Sequence, residues 1–495
     1  MQYLQVSLIL RNSSDPCAYS TVSLRPALAI SHPQSHSGQR ERRAFEYYFH
    51  RVGPALAGAL DLNFWSGSVL QICQLEPAVW DAVISLSVLY ERPPICDAKP
   101  LSLLNNPADV RHGYHEEALV WYSRSLAALQ RRINQGVADL TISMISCVLF
   151  IAIELLQGNK SAAVILYTNG ARLLASTMAS ARGSELLMTT IVPIFRRLGT
   201  QFLISTDGTL SDALPQDRTI QEVAFVTISE ARNELLGLIA EWKVFNKDIK
   251  AQIAAANEEI PDLSALEMRQ ESLEERLHIW YACLTPLMPK QNTNLYPAAD
   301  DVDGLMSLLL MTHISILIET KTSLISNEMA YDAYESDFAQ ILEYAPKATN
   351  ATHNLDGSQP YFMFEMGVFL PLFITALKCR FPNLRRRALM FLQVAPPVQG
   401  LCMCSPVVQI ISILVFLEEY PGAILPGAGT IEELLAGSGR IPASQHRIRT
   451  FDVSSDANGE GKMKNKLKYS VYASGSSGKN LLVENEVLLP VLMGT

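Results

Sequence analysis

The run of residues 142–156 constrains the fold of this chain more than any other feature, because it is apolar almost all round. A helix with this composition has no polar face to present to water, so other elements must enclose it. The run is shorter than the ~20 residues that cross a bilayer and contains Glu154, and the next apolar run, 407–417, is shorter still. We therefore expect a buried core helix and no transmembrane segment.

The preceding segment predicts an amphipathic helix. Apolar residues recur there at spacings of three and four and share one helical face, whereas Arg124, Arg131 and Arg132 lie off it. The members of this stripe are Leu119, Tyr122, Leu126, Leu129 and Ile133, and Gly136 follows them. Two such neighbouring helices predict an all-α fold, a large multi-helix bundle. Similar patterns predict helices at 41–52, 77–90, 162–174, 220–245, 263–280, 304–324, 362–377, 384–392 and 407–419.

The character of the sequence changes after Gly437. Segments 447–453 and 466–472 are β-prone and flank the polar stretch 454–465, which predicts a small C-terminal β-hairpin. We accordingly expect three regions: an atypical N-terminal segment 1–39, a helical region 40–436, and a C-terminal extension 437–495. The length allows the helical region to form one large domain or several smaller ones.

The charge balance argues against direct nucleic-acid binding. The chain has 49 acidic and 40 basic residues, whereas neutralising DNA phosphates needs a concentrated excess of Lys and Arg. Eight cysteines lie mostly within apolar runs and lack the spacing of a disulfide framework. We therefore expect reduced thiols in an intracellular protein.

Two groups of possible metal ligands do not complete a metal-binding motif. Structural zinc needs four ligands, usually in two short-spaced pairs, and here Cys402 and Cys404 have no partner pair, which favours ordinary thiols. His115 is followed by two glutamates, but a metalloprotease helix needs a second His where Leu119 stands. We interpret Glu116 and Glu117 as acidic residues in the first turn of a helix.

The best enzyme lead is the aspartate cluster Asp300, Asp301 and Asp303. Clustered carboxylates at the mouth of a helical bundle can hold magnesium for diphosphate chemistry. The spacing departs from the common aspartate-rich motif, and no second metal-binding set follows. The favoured interpretation is that one of these aspartates caps a helix opening at Gly304, with an all-helical metal-dependent enzyme as the alternative.

Phosphate-loop motifs are incomplete. Residues 475–479 lack the spacing of a P-loop, and Gly427 and Gly429 lack a third glycine. The basic run 385–387 is interpreted as a solvated helix face rather than a nuclear-import patch or anion site. The sequence thus assigns no catalytic, cofactor-binding or metal-binding residue, and we expect a binding or regulatory protein rather than an enzyme.

Several groups of residues together resemble a known family. They are the run 40–49; Leu56, Gly58, Phe64, Trp65, Leu70 and Gln71; Glu76, Pro77, Ala78, Val79, Ala82 and Leu86; Ala118, Leu119 and Tyr122; Cys147, Leu149, Phe150, Glu154, Gln157 and Gly158; and Pro371, Leu372, Cys379, Arg380, Pro382, Leu384, Arg385, Arg386 and Ala388. This pattern resembles the fungal-specific transcription factor domain, which follows a zinc binuclear cluster in many fungal regulators.

The resemblance implies an all-helical regulatory region in the nucleus, concerned with RNA polymerase II transcription. Its implied partners are other transcriptional regulators or a small effector, with a homodimer as a further alternative and no membrane. Family members hold two zinc ions with six cysteines near the N-terminus, but only Cys17 precedes Arg40 here. We therefore expect no cofactor in this chain, and zinc only if a preceding cluster has been lost from the gene model. The alternatives are a paralogue without direct DNA contact and a non-transcriptional interaction scaffold.

Overall fold

The computed structural model describes residues 38–58, 60–93, 113–137, 139–179, 184–205, 224–255, 263–288, 299–354, 356–423, 425, 439–457, 463–474 and 480–489. These residues are mainly helical, which confirms the predicted fold class. They divide into two compact units. Unit 1 contains the described residues up to 205 together with Pro360–Glu365, and unit 2 contains those from 224 to 359 and from 366 onward. The predicted helical region 40–436 thus contributes to both units.

Unit 1 is built from helices joined by short connections. They are α1 (Gln39–Tyr47), α2 (Gly53–Ala57), α3 (Val69–Cys73), α4 (Pro77–Glu91), α5 (Gly113–Asn134), α6 (Leu140–Leu156), α7 (Lys160–Ala179) and α8 (Val192–Ser205). Three π-helical stretches, Tyr48–Val52, Asn63–Ser68 and Leu187–Ile191, lead into α2, α3 and α8. The short strand β1 (Phe362–Met363) also belongs to this unit.

Helix α6 is the enclosed helix that the apolar run predicts. Every residue from Ser143 to Leu156 is buried. Asp139 caps the N-terminus of the helix, since its carboxylate accepts a hydrogen bond from the Ile142 amide at 3.1 Å. The preceding α5 ends at Asn134, and Gly136 then adopts φ 68°, which favours glycine at a helix C-terminus.

The buried face of α5 lies slightly to one side of the predicted stripe. Tyr122, Leu129 and Ile133 are buried as expected, but Leu119 and Leu126 are only half-buried. The small residues Ala118 and Ser125 occupy the centre of the contact with α4, and the Ser125 hydroxyl donates to the Ala78 carbonyl at 2.5 Å. The predicted stripe contains only large apolar residues, whereas the observed contact face contains small residues, which allow two helices to approach closely.

Unit 2 combines helices with a C-terminal sheet. Its helices are α9 (Ile228–Ala255), α10 (Ser264–Leu284), α11 (Ala299–Thr322), α12 (Glu335–Asn350), α13 (Phe369–Lys378), α14 (Pro382–Val394) and α15 (Cys404–Glu419), and Glu328–Tyr334 forms a 3-10 helix. Strands β2 (Val398–Gln399) and β3 (Cys402–Met403) form a short antiparallel hairpin before α15. The sheet contains β4 (Ile448–Ala457), β5 (Met463–Ser474) and β6 (Asn480–Leu488).

Two predicted helices differ from the structure. The helix predicted at 220–245 begins only at Ile228 and continues to Ala255. The helix predicted at 362–377 is wrong in its first half, since Phe362–Met363 is a strand and α13 starts at Phe369. Gly367, with φ 48°, separates the two segments, because a residue in that backbone region interrupts a helix.

Helix α11 is the one described helix long and apolar enough to cross a membrane. Its stretch Asp303–Thr322 has a mean hydropathy of 1.3, and 67% of it is buried within the structure. Core helices share the length and composition of membrane spans, so this feature is weak evidence for a span.

The predicted C-terminal hairpin is confirmed and extended by a third strand. The strands pair antiparallel in the order β4-β5-β6. One face packs against α15 through a cluster containing Ile448 and Leu467 together with Ile410, Ile413 and Leu414. The other face carries the alternating charged residues expected of an antiparallel sheet with one exposed side.

Candidate functional site

The most specific polar arrangement in unit 1 lies where α6 turns into α7. Glu154, in the last turn of α6, accepts hydrogen bonds from the Tyr122 hydroxyl and the Asn159 side-chain amide, each at 2.9 Å. The Asn159 backbone amide donates to the Glu154 carbonyl at 2.8 Å. Gly158 adopts φ 71° and allows this tight reversal. We call Tyr122, Glu154 and Asn159 the α6 corner.

Burial dominates the electrostatics of the α6 corner. It raises the pKa of Glu154 to about 7, against the hydrogen bonds from Tyr122 and Asn159, which favour the charged form. The carboxyl is therefore close to half protonated at neutral pH. Both of its oxygens are occupied by side chains of the corner, so its contribution is to fix α5, α6 and α7 in place.

A buried arginine forms a second polar centre in unit 1. Arg197 on α8 donates from Nη2 to both carboxylate oxygens of Asp61 at 2.9 Å and from Nε to Glu365 at 2.6 Å. The arginine is 5% exposed. No sequence motif marks Arg197, although a pair of arginines within the otherwise apolar run 191–198 is a signal for a buried ion pair.

Unit 2 contains a larger set of buried charges around Glu418, near the end of α15. Glu418 lies between two arginines, with Arg380 Nη2 at 3.0 Å from Oε1 and Arg385 Nη1 at 2.5 Å from Oε2. The Ile448 amide at the start of β4 also donates to Oε1, at 2.7 Å. All three charged side chains are at most 1% exposed. We call these three charged residues and their ion-pair partners the Glu418 network.

The two arginines also bind backbone carbonyls. Arg385 Nε donates to the Ala376 carbonyl at 2.8 Å, in the last turn of α13, where helix carbonyls lack partners. Arg380 donates to the carbonyls of Lys378 and Ile448 at 2.7 and 3.0 Å. The two guanidinium groups thus join the α13–α14 turn to α15 and β4.

Further ion pairs extend the network to the 3-10 helix. Lys378 Nζ donates to both carboxylate oxygens of Glu328, at 2.9 and 3.1 Å. Arg447 makes a two-pronged ion pair with Asp332 at 2.7 and 2.8 Å. Each cation therefore has at least one carboxylate partner, which makes the network a self-compensated structural centre rather than an anion site.

Burial opposes ionisation of Glu418, but the interactions with its neighbours favour the charged form more strongly. Burial alone would raise the pKa of this carboxyl, whereas the charges of Arg380 and Arg385 and the Ile448 amide lower it, with a net depression. The carboxyl is consequently charged in the folded protein. Its negative charge is what allows two guanidinium groups to remain buried.

The interpretation of residues 385–387 as a solvated helix face is wrong for Arg385. That side chain is buried against Glu418 and the α13 carbonyls. Arg386 is half-buried and pairs with Glu419 at 3.0 and 2.7 Å, and Arg387 alone is exposed. The basic run alone does not predict these ion pairs, because the partner carboxylates lie more than thirty residues away in the sequence.

The aspartate cluster belongs to the first turn of α11. The helix begins at Ala299, so the predicted cap at Gly304 is wrong. Asp303 accepts a hydrogen bond from Lys347 at 2.8 Å, while the side chains of Asp300 and Asp301 lie outside the described residues. Gly304 has a packing role, since a Cβ there would lie 2.3 Å from the Ala351 Cβ.

The cysteine pair is partly buried. Burial raises the pKa of Cys404 to about 12, and its thiol donates to the Pro396 carbonyl at 3.3 Å. Cys402 is half-buried in β3. No disulfide joins cysteines among the described residues, and in that part of the chain no three or more His, Cys, Asp or Glu side chains cluster as metal ligands. Cys17 and Cys96 lie outside it.

His115 and Glu116 lie at the start of a helix. His115 is buried in the first turn of α5, 3.4 Å from the Arg92 carbonyl, and Glu116 is exposed beside it, which confirms the helix-start interpretation. Residues 475–479, Gly427 and Gly429 lie outside the described residues.

Comparisons of the chain with protein-family models, with curated proteins and with solved structures found no match.

Proposed function

We propose that this chain is the helical regulatory region of a nuclear regulator of RNA polymerase II transcription in a fungus. It acts through contacts with other regulators or a small effector, and it carries no DNA-binding module of its own. The proposal starts from the resemblance to the fungal-specific transcription factor domain. Its support is the way in which the residues behind that resemblance meet in space.

The Tyr122–Glu154 hydrogen bond is the observation that carries the proposal. The two residues belong to different groups of the resemblance, 32 positions apart, and meet at 2.9 Å in a buried site. Matching apolar residues can arise from helical composition alone. A buried hydroxyl–carboxyl pair requires two particular side chains at two particular places, so it is a more specific sign of shared architecture.

Other residues of the resemblance form ion pairs with residues outside it. Glu76 forms an ion pair with Arg132 on α5, the helix that carries Tyr122. In unit 2, Arg380 and Arg385 both hold Glu418. The conspicuous buried polar residues therefore serve the architecture, which favours a domain that works through its surface rather than through a reaction centre.

A tethered reporter tests the proposal. The full chain is fused to a foreign DNA-binding domain in a fungal host, and expression from a promoter with the matching operator is measured. We expect at least a threefold change relative to the DNA-binding domain alone, in either direction. We also expect a fluorescent fusion of the chain to accumulate in the nucleus.

Matched variants show whether the folded domain is responsible. Glu418→Gln should reduce the reporter effect because it destabilises unit 2, whereas Asp248→Asn, at an exposed ion pair with Arg269, should leave it intact. Nuclear exclusion together with a flat reporter would contradict the proposal and favour a scaffold. Stoichiometric magnesium binding that is lost when Asp300, Asp301 and Asp303 are changed to Ala would favour the enzyme instead.

A further inference from the structure

The outer edge of β6 has no partner strand among the residues that the structure describes. β6 pairs with β5 along one side, and β4 and β6 are the two edges of the sheet. Among the described residues, no backbone hydrogen bond is made along the other side of β6. A row of free N–H and C=O groups is a template for another extended segment.

The side chains along this edge form an apolar–acidic–acidic–apolar series. Leu482, Glu484, Glu486 and Leu488 occupy alternate positions and therefore project from one face of the sheet. The two leucines are 51% and 52% exposed, and both glutamates are exposed. Monomeric proteins usually protect such an edge, often with lysines, and here the exposed face of β6 carries none.

Charges alternate across the sheet and define what the next strand should carry. Asp452 on β4, Lys468 on β5 and Glu486 on β6 are aligned by the strand register. Lys466 also reaches Glu486 at 2.8 Å. Glu484 lies opposite Ser470 and has no ion-pair partner among the described residues. A strand added beside β6 would continue the alternation if it carried basic residues.

The same charges disfavour a second copy of the chain. Antiparallel pairing of two β6 edges would bring glutamates close to glutamates, and pairing of β6 with a β4 edge would bring them near Asp452. Like charges directly opposite each other destabilise a sheet. The occupant that fits is a basic segment from another protein.

We propose that the β6 edge binds an extended basic peptide segment of a partner protein by strand addition. Lys or Arg at two alternate positions faces Glu484 and Glu486, and apolar residues flank them to cover Leu482 and Leu488. The partner backbone supplies the hydrogen bonds, and the charges set the register and select against acidic sequences.

A labelled peptide tests this surface on the full chain. The probe is a fluorescein-labelled peptide of sequence Leu-Thr-Lys-Thr-Lys-Thr-Leu, and binding is followed by fluorescence anisotropy at low salt. The Lys peptide should bind, and the same peptide with Glu in place of Lys should not. In strand addition, only every second peptide N–H faces β6. Methylation of the amide nitrogens in that set should therefore abolish binding, whereas methylation of the other alternate set should not.

Two charge reversals separate the edge from the general acidity of the protein. Glu484→Lys should weaken binding about tenfold, whereas Glu343→Lys, at an exposed position on α12, makes the same change in net charge and should alter it less than about twofold. Circular dichroism checks that both variants remain folded. The proposal is overturned if neither variant changes the affinity, if both N-methylated series bind like the parent, or if the Lys peptide fails to bind at millimolar concentration. It is also overturned if light scattering shows a wild-type dimer that Glu484→Lys disrupts, since a second copy would then occupy the edge.

Discussion

Replacing Glu418 with Gln removes one negative charge from the Glu418 network and leaves the shape of the side chain almost unchanged. Arg380 would retain an ion pair with Glu328 at 3.2 Å. Arg385 would retain backbone carbonyls but no second ion pair among the described residues. One buried guanidinium is thus left without its counter-charge.

The size of the effect follows from this difference between the two arginines. Removing one partner of a buried ion pair costs ~3–5 kcal/mol. Because Arg380 stays compensated, we expect the lower end of that range, about 3 kcal/mol of unit 2 stability. The surface pair provides the scale for comparison, since Asp248 and Arg269 are 46% and 45% exposed and such pairs contribute ~1 kcal/mol or less.

Hydrogen exchange followed by mass spectrometry measures the loss where it occurs. The Ile448 amide donates directly to Glu418, so peptides covering α15 and the start of β4 should exchange about 100-fold faster in Glu418→Gln. The Asp248→Asn control should change exchange there by less than about threefold. If the two variants exchanged at equal rates in these peptides, the reasoning that Glu418 is a charged partner of two buried arginines would be refuted.

Three further predictions concern single residues. Burial raises the pKa of Glu154 from 4.5 to about 7. The protonated carboxyl therefore contributes about 3 kcal/mol of stability below pH ~4.5, and this contribution is lost as the pH rises to about 7. Thermal melts from pH 4 to 8 should show this loss of stability in the wild type and not in Glu154→Gln. Burial lowers the pKa of His313 from 6.5 to about 4, so its contribution is present above pH ~6.5 and is lost as the pH falls towards 4, and His313→Gln should be less sensitive to acid in the same melts. Gly170→Ala places a Cβ 2.6 Å from the Phe195 ring and should cost ~1–3 kcal/mol in chemical unfolding; Gly67→Ala, with its nearest neighbour at 3.9 Å, is the control, and equal losses would contradict this account of packing.

Helical periodicity predicted most of the fold because local pattern and burial agree in helices such as α6. It failed where the local signal was weak or misleading. Helix α12 contains Pro346 and several charges and was not predicted. The third strand β6 was also missed, because its apolar residues stand in blocks at 481–483 and 487–488 around the polar residues 484–486 and do not alternate with them.

The polar centres could not be predicted from spacing alone, because their partners are distant in the sequence. Tyr122 and Glu154 are 32 residues apart, and Arg380 and Glu418 are 38 apart. A basic run such as 385–387 has the same composition on a solvated face and beside a buried carboxylate. Only the packing of α13, α14 and α15 distinguishes the two cases.

We propose that this chain regulates transcription without binding DNA itself. The most direct measurement is RNA polymerase II occupancy, by chromatin immunoprecipitation, at a promoter to which the chain is tethered by a foreign DNA-binding domain. We predict at least a threefold change in occupancy relative to the tether alone, which Asp248→Asn retains and Glu418→Gln reduces. Equal polymerase occupancy for the tether alone, the wild-type chain and both variants would contradict the claim.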